Sequence, residues 1–342
     1  VSEFLDLNLI WFFLLGVLLI GYTILDGFDL GVGTLHLFSR GDIERRTFMN
    51  SIGPVWDGNE VWLVTGGGAL FAAFPHAYAT AFSAFYLPFI FLVFMLIFRA
   101  CALEFRSKVH SRAWQRVWDV AFCLSSTVAS LLFGVALGNM ILGMRIGADM
   151  EYVGGLLELL HPYALLVGVF AVSLFTMHGS VYLYMKTEGE LQAKIKRWIP
   201  RTFSFFVIMY IFTTMATLVL VPSMVHNFEI FPWMWIVVVL NVLAIANIPR
   251  ALYKGFEARA FISSCCTIAA LFMLFGVGVY PNMIVSSLDP AYNLTIYNAA
   301  SSQKTLGIML VIALLGMPVV VAYTVAIYYI FRGKVKLDQY SY

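Results

Sequence analysis

The stretch GPVWDGNEVWLVTGGGALFAAF, residues 53–74, decides how the chain is read. From Val61 onward it has the composition of a membrane-spanning helix. Asp57 and Glu60 stand just ahead of that run, three residues apart, which places both carboxylates on one helical face. A carboxylate in hydrocarbon costs about 3 kcal/mol or more, so such residues face a protein interior or a water-filled path. Gly66, Gly67 and Gly68 follow, and a glycine surface lets another backbone approach closely. The stretch therefore predicts a tightly packed helix bundle with an ionisable interior.

Composition extends this reading to the whole chain. Of 342 residues, 61% are hydrophobic and 12% charged, where soluble domains carry about 25% charged residues. The mean hydropathy is +0.86. An all-α polytopic membrane protein is expected. Cys101 falls at the end of an apolar run, and Cys123, Cys265 and Cys266 fall inside runs. They read as small buried apolar residues, not as a disulfide framework. The first apolar run leads into DGFDLGVG, which is no small-residue cleavage site, so no cleavable signal peptide is expected.

A bilayer core of about 30 Å requires about 20 apolar residues per helix. Nine segments meet that need: 7–38, 48–74, 77–98, 114–140, 163–185, 201–224, 231–248, 260–280 and 306–331. The cations test the map. With these spans, nineteen of the twenty-one lysines and arginines fall on one side, and Arg145 and Lys304 on the other. The positive-inside rule then predicts the N-terminus outside and the C-terminus in the cytoplasm.

An internal repeat is visible. Gly16-Val17 and Asp26-Gly27 match Gly168-Val169 and His178-Gly179 at an offset of 152. Leu132 to Val135 match Leu274 to Val277, and Arg99-Ala100 echoes Arg250-Ala251. Two four-helix units are expected, 1–145 with an acidic interior and 146–285, followed by a ninth helix and tail over 286–342. Four helices return the chain to the same side, so the repeat is parallel.

Within the spans lie Asp26, Asp29, Asp57, Glu60 and Asp119, all in the first unit. Asp26 and Asp29 share a helical face. Asp57 stands about nine residues, or about 14 Å, into its segment. Asp119 is expected near the level of Arg99. The set suggests a half-channel from the cytoplasm toward mid-membrane, suited to proton relay. Plainer readings stand beside it: Asp29 capping a helix break, Arg99 and Asp119 forming a structural ion pair, Glu60 making an interhelical hydrogen bond. His178 alone is clearly intramembrane and reads first as a hydrogen-bonded core residue. No pair of facing histidines suggests haem in this chain, and no Cys/His spacing suggests another metal. Gly31-Val32-Gly33 lacks the context of a dinucleotide fingerprint. His110, Arg112 and Arg116 suggest a headgroup-facing surface and not a nucleic-acid site.

Three segments resemble subunit II of cytochrome bd-type quinol oxidases: LLIGYTILDGFDLGVG (18–33), ERRTFMNSIGPVWDGNEVWLVTGGGALFAAFP (44–75) and FRSKVHSRAWQRVWD (105–119). The likeness runs along the chain, including Ala300-Ser301-Ser302-Gln303 and Thr305-Leu306. The resemblance implies a haem-free, nine-helix subunit in a bacterial cell membrane. Its partner would be a pseudo-symmetric subunit I that carries haem b, haem d and the quinol site. It leaves room for a small single-helix third subunit. The aspartate of the WDGN block belongs to a proton path in this family, which implies that role for Asp57. Trp56 matches beside it, as a candidate contact for quinone, lipid or partner. Glu60 stands where many relatives carry glutamine. Asp26, Asp29 and Arg99 match motif positions.

The expected function follows: a subunit of a quinol:oxygen oxidoreductase that reduces oxygen to water. Protons would pass Asp119, Arg99, Asp26 and Asp29 toward Asp57 and the partner. Two other classes remain open at this point: a purely structural scaffold, and a proton-coupled secondary transporter with midplane carboxylates.

Overall fold

The computed structural model describes residues 6–337. The two chain termini, expected outside and in the cytoplasm, lie outside the described residues. Helix α1 (Leu7–Leu35) ends in a 3-10 turn and is followed by the amphipathic α2 (Gly41–Ile52) and by α3 (Trp56–Ala73). Next come α4 (Pro75–Ala84), α5 (Tyr86–Phe105), α6 (Arg112–Leu142), α7 (Pro162–Lys186) and α8 (Gly189–Leu220). A short α9 (His226–Ile230) precedes α10 (Trp235–Tyr253), α11 (Glu257–Val279) and α12 (Gln303–Ile330). Between α11 and α12, strands β1 (Asn282–Ile284) and β2 (Leu294–Thr295) pair antiparallel, Asn282 opposite Thr295.

Among the described residues, eight helices are long and apolar enough to cross a membrane: α1, α5, α6, α7, α8, α10, α11 and α12. The ninth expected segment, 48–74, is divided. Pro54 has no N–H to donate and its ring obstructs the carbonyl four residues back, so α2 stops at Ile52 and α3 begins afresh at Trp56. Asp57 is therefore in the first turn of a helix, and residues 48–52 ahead of it belong to α2 instead of continuing into the same helix. The third expected segment, 77–98, is also corrected. Pro88 lies in the first turn of α5, the chain breaks at Phe85, and α5 runs on to Phe105. Segment 201–224 starts earlier than expected, at Gly189, with Pro200 inside the helix.

Helix α1 is central. It packs against α3, α6, α7, α11 and α12. It runs unbroken through Asp26 and Asp29, so neither aspartate caps a helix break. The main core joins Phe28, Leu30 and Val32 of α1 to Met177 and Val181 of α7, and to Phe122 of α6. A second apolar cluster joins Trp11, Phe74, Ile146, Ile284 and Leu306 around the hairpin end of the bundle. Close helix approach occurs at glycine, as expected, but at other glycines. A Cβ on Gly31 would lie 1.9 Å from the Phe175 carbonyl oxygen, and one on Gly134 would lie 2.6 Å from that of Val167. Gly67 and Gly68 face open space. The four cysteines are free; Cys266 is exposed and the others are partly exposed, so none is the buried residue expected.

Candidate functional site: carboxylates between α1, α3 and α5

Two polar clusters interrupt the apolar interior. The first centres on Arg99 of α5, which is 1% exposed. Its Nη1 donates to Asp26 Oδ1 at 2.6 Å, and its Nη2 donates to Glu60 Oε2 at 3.1 Å. Asp29, one turn along α1 from Asp26, accepts from Asn59 Nδ2 at 2.8 Å. The same amide donates to the Leu25 carbonyl at 3.2 Å, and its Oδ1 accepts from the Tyr328 hydroxyl at 2.7 Å. Helices α1, α3, α5 and α12 thus meet at one polar junction. Two of the three carboxyl groups bond the one guanidinium, and the third bonds an amide. Asp26 Oδ2, Asp29 Oδ1 and Arg99 Nε are buried without a hydrogen-bond partner among the described residues. Buried polar atoms of this kind are commonly met by internal water.

The second cluster centres on Asp119 of α6. Its Oδ1 accepts from His36 Nε2 at 2.7 Å and from Arg106 Nε at 2.6 Å, and its Oδ2 accepts from Arg45 Nη1 at 2.6 Å. Arg106 reaches Asp42 as well, at 2.8 Å. Asp119 therefore does not pair with Arg99, as the sequence suggested. Three donors hold it, an arrangement that anchors α2 and the ends of α1 and α5 to α6.

Asp57 belongs to neither cluster. Its side chain is on the exposed face of α3, while buried Asn59, two residues on, occupies the other side of the helix. Exposed residues recur from it at helical spacing: Asp57, Val61, Val64, Gly68 and Phe71. Trp56 is half-buried and packs on the main core. His178 uses both ring nitrogens, Nδ1 with Ser264 Oγ at 2.8 Å and Nε2 with the Ile24 carbonyl at 3.0 Å, and stacks on Phe261. It ties α7 to α11 and α1, as a core histidine would.

Sequence reasoning missed Asn59, Tyr328, Arg106, Arg45 and Asp42 as partners. Asn59 was within the quoted WDGNE block, and a buried amide beside two acids was the available signal. The Tyr328 bond can be tested. Tyr328→Phe removes the donor to Asn59 and should cost about 1 kcal/mol. The readout is the thermal unfolding midpoint in detergent; an unchanged midpoint would show that α12 is not held through this hydroxyl.

An apolar helical bundle with a buried ion-paired junction, and an acid at the end of an outward stripe, defines the class: an integral membrane subunit built to work against another surface. Comparison makes it particular. The chain belongs to the cytochrome bd terminal oxidase subunit II family, whose profile matches residues 7–331. It is 36% identical over 364 aligned residues to cytochrome bd-I ubiquinol oxidase subunit 2 of Escherichia coli (strain K12), covering 96% of this chain and 95% of that one. It is 33% identical over 331 residues to cytochrome bd ubiquinol oxidase subunit 2 of Bacillus subtilis (strain 168), covering 96% and 97%. Among solved structures it is similar in fold to a bd oxidase from Geobacillus thermodenitrificans. The TM-score is 0.80 at 17% identity, over 96% of this chain and 99% of that chain.

Proposed function

We propose that this chain is the haem-free subunit of a membrane quinol:oxygen oxidoreductase of the aerobic respiratory chain. It braces a haem-bearing subunit I and hands protons from the cytoplasm toward that subunit's oxygen-reducing site, where oxygen becomes water. Haem b, haem d and the quinol site belong to the partner. The observation that carries the reading is the stripe from Asp57 to Phe71: an apolar helix face, exposed in the lone chain, with a carboxylate at its end. Protons collect at Asp26, Asp29, Glu60 and Arg99 behind Asn59, and Asp57 delivers them across the interface. Asp119 holds the cytoplasmic mouth of this route. Trp56, at the start of the same helix, lies where a quinone, lipid or partner side chain can reach it. A small single-helix subunit and annular lipid complete the assembly.

In this reading α3 is a ninth span, 18 residues and about 27 Å long. The chain is then two parallel four-helix units, 1–145 and 146–285, and a last helix and tail, 286–342. The packing supports it. Helix α1 lies on α3 and α6 as α7 lies on α8 and α11, and α5 lies on α6 as α10 lies on α11. The N-terminus is outside and the C-terminus cytoplasmic, in a bacterial cell membrane.

The three donors that hold the Asp119 carboxylate favour a second reading, in which the acids only fix packing against subunit I. Asp57→Asn separates the two. Quinol-driven oxygen uptake should fall on the order of 10²-fold with haem content unchanged, the lower range for loss of a positioned proton-transfer group. Normal turnover with normal haem would leave the scaffold reading standing.

A further inference from the structure

A cavity of about 270 Å³ opens at the cation-rich end of the bundle, where the turn between α2 and α3 meets the ends of α7 and α12. Lys186, Arg332, Lys334 and Lys336 line it together with Tyr182 and Tyr328, and no carboxylate among the described residues does. The segment after α12 folds back to form one wall. Val335 N–H donates to the Lys186 carbonyl at 2.8 Å, and Lys186 Nζ donates to the Phe331 carbonyl at 2.6 Å. Among the described residues the charge inside is mostly uncompensated. Lys334 pairs with Glu257 at 2.5 Å. Lys186 and Arg332 are bonded to backbone carbonyls, which carry no net charge. Arg332 is held in place by stacking 3.7 Å from the Tyr329 ring centroid. Beside the cavity, Leu315, Val319 and Ile330 make an exposed apolar track along α12.

We propose that this cavity binds the phosphodiester headgroup of an anionic phospholipid, whose acyl chains lie along α12. Basic recesses between helix ends at the membrane surface suit that chemistry. The volume is near the lower limit of small-molecule sites, about 300 Å³, and so fits a headgroup and not a whole lipid. Unlike surface lysines in general, these cations surround a hollow whose wall is tied down by hydrogen bonds. The site rests on the membrane-spanning reading and not on the proton route, and lipid binding is read without turnover, so either can fail alone.

The test is native mass spectrometry on the detergent-purified complex that carries this chain, after delipidation. Cardiolipin or phosphatidylglycerol is titrated against phosphatidylcholine and against inorganic phosphate. Wild type should retain one more anionic lipid than the double variant Arg332→Gln/Lys336→Gln. Removal of two cations should weaken that site about 30-fold. The charge-preserving Arg332→Lys/Lys336→Arg should retain the adduct, which separates lost charge from a misfolded wall. Equal anionic-lipid retention by the glutamine variant overturns the proposal, as does equal binding of phosphatidylcholine. Saturation by inorganic phosphate at the same concentration would reassign the cavity to a free anion and overturn the lipid.

Discussion

Gly31→Ala should prevent the folded chain from accumulating. Its new Cβ would meet the Phe175 carbonyl oxygen at 1.9 Å, the Phe175 carbonyl carbon at 2.8 Å and Gly179 Cα at 2.9 Å. All three are backbone atoms, so no side-chain rotation relieves the clash. The crossing is reciprocal: a Cβ on Gly179 would lie 2.5 Å from the Gly31 carbonyl carbon. Helices α1 and α7 would have to separate along the core that holds Phe28, Met177 and Val181. Overpacking costs about 1–3 kcal/mol and occasionally more; a backbone clash at the central helix belongs at or beyond the upper end. Gly67→Ala is the control. Nothing lies within 4 Å of its Cβ position, and alanine improves helix propensity by about 1 kcal/mol. Membrane yield and unfolding midpoint of the two variants, measured side by side, decide the matter. Equal behaviour would mean that α1 and α7 do not cross at Gly31.

Arg99→Met should destabilise the chain by about 3–5 kcal/mol, the cost of leaving a buried charge without its partner. Asp26 is fully buried and loses its 2.6 Å donor. Glu60, 25% exposed at its side chain, is less affected because solvent reaches it. The pairing predicts rescue: Asp26→Asn in the Arg99→Met background should recover a large part of the loss, since the second substitution removes the orphaned charge. Additive losses in that double-mutant cycle would rule out the Arg99–Asp26 coupling. Arg145→Ala provides the contrast. Its bond to Glu158 is 3.1 Å long, but the two side chains are 49% and 46% exposed. Solvent-screened pairs of this kind contribute about 0–1 kcal/mol.

Much of the site was legible because charge inside an apolar run is conspicuous. Asp26, Asp29 and Arg99 could be picked out by their surroundings, and three of the pairing groups were among the sequence candidates. Depth was misjudged. Running the third helix from 77 to 98 left Arg99 at a helix end, level with Asp119. Helix α5 instead continues past Arg99 to Phe105, so Arg99 is six residues, about 9 Å, inside. Arg106 then occupies the level at which Arg99 was expected, and it is Arg106 that meets Asp119. Asp57 was displaced for a different reason: Pro54 resets the helix. Proline fixes a helix start by sterics and by its missing N–H, and apolar periodicity does not register that. The partnership of Asn59 with Tyr328 spans 269 residues. No local pattern carries a contact of that range.

The position of the Arg99–Asp26 bond also bears on how the molecule is made. The two residues are 73 apart in sequence. A ribosome adding 5–20 residues per second takes roughly 4–15 s to travel that distance. During that interval the first hydrophobic segment has left the peptidyl-transferase centre with two aspartates and no counter-ion. It therefore has to wait beside the insertion machinery, or sit shallow with its acidic turn in water, until the guanidinium is synthesised. Co-translational assembly of this polypeptide is paced by an arginine, and the helix at the centre of the finished bundle cannot settle before α5 has been made.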